Sequence, residues 1–307
     1  MQYDKFFGIT AFMAVMVMSF AVSSCSLFED DNESGGNTVK PGLYAKAWPI
    51  TAADTPIAGI PANDIAAAVT RFNLTGTAND GEYTLLINQD VTLPAQQNLQ
   101  RANRQLTIIG LDEVRTITGT TEGAFRFNTS NILLTLGENI TIKGVAESTA
   151  SLISVALGSS LTMKAGSKIT GFSNSGTTLN WPVSVSSTGT FTMDGGEISG
   201  NTVSVSVSSA PTGGVAATAG VFVGASIGNF IMNGGKITGN TLIGGSNNAG
   251  GSGGGVYVAS SSAAESTTFT MNGGEITGNT RNGDPSDVAI SSSGTSVLSD
   301  TDNEDRK

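Results

Sequence analysis

The sequence contains no histidine and only one cysteine, Cys25, among its 307 residues. Histidine is the commonest general base and the commonest metal ligand, so its absence argues against most hydrolytic and metal-dependent chemistry. A single cysteine excludes a disulfide within the chain. These two absences favour a protein that binds a partner or supports a structure, and we expect no enzymatic activity, no metal site and no cofactor.

Charged side chains are scarce, and acidic ones outnumber basic ones. Asp, Glu, Lys and Arg together make up 13% of the chain, about half of the ~25% that is usual in soluble proteins. The formal net charge is −10, which repels phosphate backbones, so we do not expect nucleic acid as a partner. The 38% of residues that are hydrophobic fall in a regular pattern, which indicates packed β-structure rather than disorder.

Long apolar runs are confined to the N-terminus. Residues 6–20 form one such run behind Lys5, and no later segment approaches the ~20 apolar residues of a membrane helix. The run closes on Val22-Ser-Ser-Cys25, which resembles the lipobox of bacterial lipoproteins. That resemblance implies a signal peptide at 1–24, cleavage before Cys25 and acylation of its thiol, for example with palmitate. The alternative is an ordinary signal peptide with a chance cysteine.

The residues after Cys25 bear on localisation. In lipoproteins of the enterobacterial type, a residue other than aspartate after the cysteine implies the outer membrane, and Ser26 stands there. Residues 29–36 are acidic and glycine-rich, so we interpret 25–42 as the lipidated cysteine and a flexible tether. Acidic runs in this place also resemble surface-export signals of some bacterial groups. We therefore expect a lipid-anchored outer-membrane protein on the cell surface, with the periplasmic face as the alternative.

Four segments repeat one pattern of a large apolar residue, a methionine two positions later, a glycine-containing turn and an isoleucine. They span residues 161–171, 191–201, 230–240 and 269–279. Their methionines stand at positions 163, 193, 232 and 271, which gives steps of 30, 39 and 39 residues. Periods of this length are typical of stacked repeats, in which no single unit can bury its own apolar face.

Each repeat is interpreted as three short strands joined by turns. In the last repeat Phe269 and Met271 alternate with Thr270, a turn follows at 273–274, and Ile276 begins a second strand. A further strand precedes each motif, at Ile153–Val155, Val183–Val185, Val221–Val223 and Val256–Val258. Looser copies stand at 83–87, 106–108 and 134–136. The sequence therefore predicts an all-β fold, a parallel β-helix solenoid of about seven coils.

One domain is expected at residues 43–298, followed by an acidic tail at 299–307. Its first part, 43–82, forms an N-terminal cap, and 83–290 forms the coils. Within the cap, Asp64 can begin a short helix whose apolar residues share one face. These apolar residues are Ile65, Ala68, Val69 and Phe72. Such a helix would cover the open end of the stack, where unpaired strand edges invite aggregation.

The repeats resemble the right-handed, pectin-lyase-like parallel β-helix superfamily, which includes pectate lyases and bacterial surface adhesins, over about residues 83–290. More narrowly, segments 230–233, 269–272 and 254–258 look like the F-x-x-N and G-G-A-I repeats of chlamydial polymorphic membrane proteins. The resemblance implies a right-handed coil. The G-H-G motif of polygalacturonases is missing, because the chain has no histidine.

Equivalent residues of successive coils lie above one another in such a stack. We expect a structural amide ladder formed by Asn201, Asn240 and Asn279. The outward position before each isoleucine alternates in charge from coil to coil, as Lys168, Glu197, Lys236 and Glu275. This alternation keeps the carboxylates apart, whereas a lyase-type calcium site needs several that converge.

Phe222 and Tyr257 are a local departure from the repeat. They occupy outward positions on adjacent coils, where the earlier coils have Arg126, Ser154 and Ser184. Two stacked aromatic side chains form a flat platform of the kind that recognises sugar rings or protein partners. The alternative is that the long loops at 203–219 and 241–254 fold over both rings.

These observations favour a non-enzymatic, monomeric lipoprotein that acts as an adhesin-like or display module. Its expected partners are the membrane, through the N-terminal lipid, and a glycan or a host or matrix protein. The first alternative is a structural envelope lipoprotein without a specific ligand. The second is a polysaccharide lyase or hydrolase that gathers distant loop acids, such as Asp54, Asp64, Asp80 and Asp90.

Overall fold

A computed structural model of the chain describes residues 38–75, 81–175, 179–205, 217–224, 227–244, 252–259, 267–291 and 295–298. Cys25, the predicted signal peptide and the acidic tail lie outside these ranges, as do most of the predicted tether and of the long loops. The regular secondary structure of the described residues consists of β-strands and a single helix, α1 (Ile65–Asn73).

The strands within the described ranges form four sheets. Sheet A has nine strands, β1 (Gly42–Tyr44), β2 (Glu82–Ile87), β5 (Arg104–Gly110), β8 (Ile132–Leu136), β11 (Ser160–Met163), β15 (Thr190–Met193), β19 (Asn229–Met232), β23 (Thr268–Met271) and β28 (Thr295–Leu298). Sheet B has seven, β3 (Val91–Thr92), β6 (Arg115–Thr118), β9 (Ile140–Lys143), β12 (Ser167–Thr170), β16 (Glu197–Ser199), β20 (Lys236–Thr238) and β24 (Glu275–Thr277).

Sheet C also has seven strands, β4 (Gln97–Leu99), β7 (Phe125–Phe127), β10 (Ile153–Val155), β14 (Val183–Val185), β18 (Val221–Val223), β22 (Val256–Val258) and β27 (Val288–Ile290). The short sheet D contains β13 (Ser173–Asn174), β17 (Thr202–Val205), β21 (Thr241–Gly244), β25 (Thr280–Arg281) and β26 (Asp284–Pro285). Only the pairs β1–β2 and β25–β26 are antiparallel, and all other neighbours are parallel.

From β2 onward the chain passes through sheets A, B and C in turn, and each passage adds one strand to each sheet. We call the strands of one passage a layer. Neighbouring layers are joined by parallel pairing, as between β11 and β15 and between β15 and β19. This order of strands is that of long parallel sheets wound from repeats, and it is consistent with the predicted parallel β-helix.

Sheet D was not predicted as a separate sheet. Three of its strands, β17, β21 and β25, begin directly after a Gly-Asn pair, and β17 and β21 extend into the segments 203–219 and 241–254 that we interpreted as long loops. Val203 is buried in the core and Val205 is 8% exposed, so the period-two pattern continues past the turn by one short strand. The layers that begin at β11, β15 and β19 therefore have four strands instead of three, and the layer that begins at β23 has five, because β25 and β26 both belong to sheet D.

The register of sheet A aligns the methionines of the four repeats with one another, as the repeat pattern predicts. Met163 pairs with Met193, Met193 with Met232, and Met232 with Met271. The first three methionines are fully buried, while Met271, near the end of the sheet, is only partly buried. The adjacent phenylalanine column stacks with ring centroids 4.8 Å and 4.9 Å apart, through Phe191, Phe230 and Phe269. One continuous apolar core therefore runs through the layers.

The N-terminal segment closes the first layer in two ways. Helix α1 begins where predicted, with the Asp64 carboxylate accepting a hydrogen bond from the Ala67 backbone N–H at 2.8 Å, and the four predicted apolar residues are buried. The Asn73 side chain then donates to the carbonyl of Asn98 in β4, at 2.8 Å. Strand β1 pairs with the free edge of β2, starting at Gly42, one residue before the predicted cap.

Candidate functional site

The candidate site lies on sheet C, whose strands place their first and third residues in the core and their middle residue outside. Ser184, Phe222 and Tyr257 are aligned in register on β14, β18 and β22. The Phe222 and Tyr257 rings lie 5.9 Å apart between centroids and are inclined by 36°. The sheet thus brings together the two aromatic residues that the sequence singled out.

The two rings differ in exposure. Phe222 is partly exposed, whereas Tyr257 is only 3% exposed, and its burial raises the pKa of the phenol. Ala289 follows Tyr257 in the column on β27. Tyr257 is therefore the buried member of this pair, and Phe222 is the member whose ring is accessible.

A third aromatic residue, Trp181, completes this surface. Its ring lies 3.7 Å from that of Phe222 between centroids, with the planes within 5° of parallel. Trp181 is partly exposed and belongs to the layer before Phe222, directly ahead of β14. Its backbone N–H donates to the Ser151 hydroxyl at 3.1 Å, and its carbonyl accepts from the Leu152 N–H at 3.1 Å. We call Trp181, Phe222 and Tyr257 the aromatic column.

Gly224 makes room for this column. A Cβ atom at this position would overlap with the edge of the Phe222 ring, so the ring lies against the bare backbone two residues further along the chain. Sequence reasoning missed both Trp181 and Gly224. The available signal was that one of the only two tryptophans stands beside a sheet C strand, one layer before Phe222.

The three ladder asparagines are fully buried. The Nδ2 of Asn201 donates to Oδ1 of Asn240 at 2.8 Å, and that of Asn240 donates to Oδ1 of Asn279 at 2.8 Å. At one end Oδ1 of Asn201 accepts from the Phe172 N–H at 3.0 Å, and at the other the Asn279 side chain donates to Asp287 at 3.0 Å. These amides form hydrogen bonds with one another and with neighbouring groups of the buried turn, and they are not exposed to solvent.

Several charged side chains at sheets A and B form ion pairs across layers. On sheet B, Lys168 contacts Glu197 and Lys236 contacts Glu275, each at 3.0 Å. The Ser199 hydroxyl and Lys168 hold the pKa of Glu197 below its usual range. At the end of the sheet A strands, Lys164 and then the Asn233 amide lower the pKa of Asp194, and Lys164 lies 2.7 Å from it.

The loop acids considered for catalysis have separate roles. Asp54 pairs with Lys46 at 2.7 Å, and hydrogen bonds from Lys46 and Thr51 lower its pKa to about 2. Asp64 begins α1, and Asp90 accepts a hydrogen bond from the Thr116 N–H at 2.8 Å. Asp80 lies outside the described residues. Within the ranges that the structure describes, no three acidic or cysteine side chains are grouped to hold a metal ion.

No helix among the described residues is long and apolar enough to cross a membrane. Comparison of the chain with protein-family models, with curated proteins and with solved structures finds no match.

Proposed function

We propose that this chain is a lipid-anchored protein of the outer-membrane surface, in which a right-handed parallel β-helix of about seven coils displays a binding surface for a glycan or a protein. The observation that carries the proposal is the stacked, partly exposed pair of Trp181 and Phe222. The lipobox-like segment ending at Cys25 supplies the anchor, so the module acts outside the membrane without enzymatic chemistry.

The aromatic column suits recognition because it is rigid before a partner arrives. Phe222 sits in a strand paired on both sides, and Trp181 is held by two backbone hydrogen bonds. Little side-chain entropy is then lost on binding. Aromatic rings combine a large apolar area with defined geometry, and stacked contacts contribute about 0.5–1.5 kcal/mol beyond their buried area. Tryptophan is accordingly enriched among residues that dominate interface energetics.

A structural envelope lipoprotein without a ligand is the second candidate. The burial of Tyr257 favours it, because a residue 3% exposed contributes to packing rather than to a surface. In that case the aromatic column only holds neighbouring layers together.

Binding of the chain from Ser26 onward to an array of glycans and matrix proteins tests the proposal. We expect saturable binding to at least one ligand, and its loss in the double variant Trp181→Ala/Phe222→Ala. The matched control is Ile243→Ala, which removes an apolar residue that is 49% exposed on sheet D. Absence of any ligand, or a double variant that binds normally and loses only thermal stability, would favour the structural candidate.

A further inference from the structure

The outward positions of sheet C continue past the aromatic column into the earlier layers. Before Phe222 on β18 they are Ser184 on β14, Ser154 on β10 and Arg126 on β7, and each is paired in register with the next. Arg126 is exposed, and the two serines are partly exposed. A cationic side chain therefore stands in line with the aromatic column on the same face. We call Arg126, Ser154 and the aromatic column together the sheet C face.

The charge of Arg126 is not compensated within the described part of the chain, where no carboxylate lies within ion-pair distance of its guanidinium. The other outward positions paired along this sheet, from Asn98 to Ala289, are uncharged. The whole chain has a net charge of −10. An unpaired arginine on such a surface attracts an anionic group of a partner, and a carboxylate matches its planar guanidinium.

The aromatic rings offer edges to a partner. One face of the Phe222 ring is covered by Trp181, whose centroid lies 3.7 Å away with the planes within 5° of parallel. The other face is turned to Tyr257, at 5.9 Å and 36°, and Gly224 lies against part of the ring edge. A sugar needs an open ring face to stack on, whereas a ring edge suits the face of an aromatic side chain. This arrangement favours a protein partner over a glycan.

The distance from the arginine to the aromatic rings fits an extended peptide. Trp181 belongs to the layer two steps after Arg126, and Phe222 to the layer three steps after it. At ~4.8 Å per step these distances are ~10 Å and ~14 Å. Four residues of an extended chain span about 13 Å, and residues four apart point to the same side. The residue midway between them would lie over Ser154, whose short side chain leaves room for it.

The single cation also distinguishes a protein segment from an acidic polysaccharide. A uronic acid polymer carries a carboxylate on every sugar unit, but the outward column of sheet C has one arginine. The remaining carboxylates would meet a chain of net charge −10. A protein segment can carry one acidic residue at the required place and neutral residues elsewhere.

We propose that the sheet C face binds an extended segment of a partner protein. An acidic side chain of that segment pairs with Arg126, and an aromatic side chain four residues away packs against the edges of Trp181 and Phe222. This inference rests on the proposed function, because it names the class of partner for the same aromatic column.

Selection of a random nine-residue peptide display library on the detergent-solubilised chain tests the inference. We expect the selected peptides to be enriched in aspartate or glutamate four positions from phenylalanine, tyrosine or tryptophan. The most enriched peptide is then synthesised, and its affinity is measured by calorimetry. The affinity should fall as the salt concentration rises, because an exposed ion pair is screened.

Arg126→Ala should lower the affinity for this peptide by about ten-fold, equivalent to 1.4 kcal/mol, and leave the melting temperature unchanged, because the side chain is exposed and unpaired. The matched control is Lys143→Ala, which removes an exposed cation from β9 of sheet B and should bind normally. Arg126→Glu should reverse the preference, so that this variant binds the peptide with lysine in place of its acidic residue better than the original peptide.

The inference is overturned if the library yields no binder or none with the expected pair, if Arg126→Ala binds as the parent chain does, or if Arg126→Glu does not reverse the preference. A glycan or protein ligand that needs Trp181 and Phe222 but not Arg126 would also overturn it, yet leave the proposed function standing. The proposed function itself fails if the double variant Trp181→Ala/Phe222→Ala binds every ligand as the parent does.

Discussion

The indole of Trp181 lies flat on the ring of Phe222, with the centroids 3.7 Å apart. The two residues belong to successive layers, and they meet because β14 and β18 pair in parallel and in register. Tyr257 continues the column on β22. The accessible aromatic surface of this side is therefore a property of the stacked layers, and neither residue could form it within its own repeat.

Gly224→Ala should disturb this contact. The added methyl overlaps with the Phe222 ring, so the ring must move and the Trp181 stack loosens. In a Trp48→Phe background, Trp181 is the only tryptophan, and we expect a shift of its emission maximum and a weaker near-ultraviolet dichroism signal. Gly81→Ala is the control, because a Cβ atom at that position meets no neighbour within 4 Å. An unchanged Trp181 signal would contradict the described packing.

Met232→Asp should unfold the stack, because it places an unpaired carboxylate in the fully buried methionine column. We expect the free energy of unfolding to fall by more than about 4 kcal/mol. Ile231→Asp is the control, since Ile231 is the partly exposed neighbour on the same strand and its replacement should cost about 1 kcal/mol or less. Urea denaturation followed by circular dichroism measures both, and similar losses for the two variants would mean that the assigned register is wrong.

Asn240→Ala should be costly for a different reason. Its side chain joins Asn201 and Asn279 and also donates to the Ile198 carbonyl at 2.9 Å. Removing it leaves several buried polar groups without partners, each worth about 1–3 kcal/mol. Asn272→Ala, which removes an exposed amide that donates to Asn233, should cost about 1 kcal/mol or less. Equal midpoints of chemical unfolding for the two variants would argue against the ladder.

At and below pH 8, stability should depend on pH only in the acid range. The folded-state pKa values of Asp194 and Glu197 are lowered by their partners, so their stabilising contribution is complete above the unfolded values near ~4. It is lost as the pH falls through the lower folded values. The chain has no histidine, so we expect a constant melting temperature between about pH 6 and pH 8. In the double variant Asp194→Asn/Glu197→Gln the melting temperature should fall less steeply with decreasing pH than in the parent chain. An unaltered dependence on acid pH would contradict this assignment.

Cys25→Ala should abolish membrane anchoring. If the thiol is the acylated group, the variant stays unprocessed and incorporates no radiolabelled palmitate, whereas the parent chain is labelled and fractionates with the outer membrane. Ser26→Ala, which leaves the cysteine in place, serves as the control. Labelling that persists in Cys25→Ala would exclude this cysteine as the site of acylation.

Much of the fold could be predicted from local patterns. The alternation of Phe191 and Met193 with Thr192 identifies the buried face of a strand, and the recurrence of that pattern predicts which residues meet across layers. The pairs Met163–Met193 and Lys168–Glu197 follow from that reasoning and are present. Asp64 and the spacing of the apolar residues behind it likewise predict α1.

The candidate sites were less accessible to sequence reasoning. Phe222 and Tyr257 were found because they depart from a repeat, but the burial of Tyr257 and the stacking of Trp181 depend on how layers pack.

The sequence by itself determined the strands of the recurring motif, their inward and outward faces and their register, because these depend on a two-residue alternation and on the recurrence of that motif. The tertiary structure decided what no local pattern contains. It placed β1 antiparallel on the edge of β2 and Trp181 on Phe222. Each of these contacts joins segments far apart in the chain, and its geometry is set only once the intervening layers have stacked.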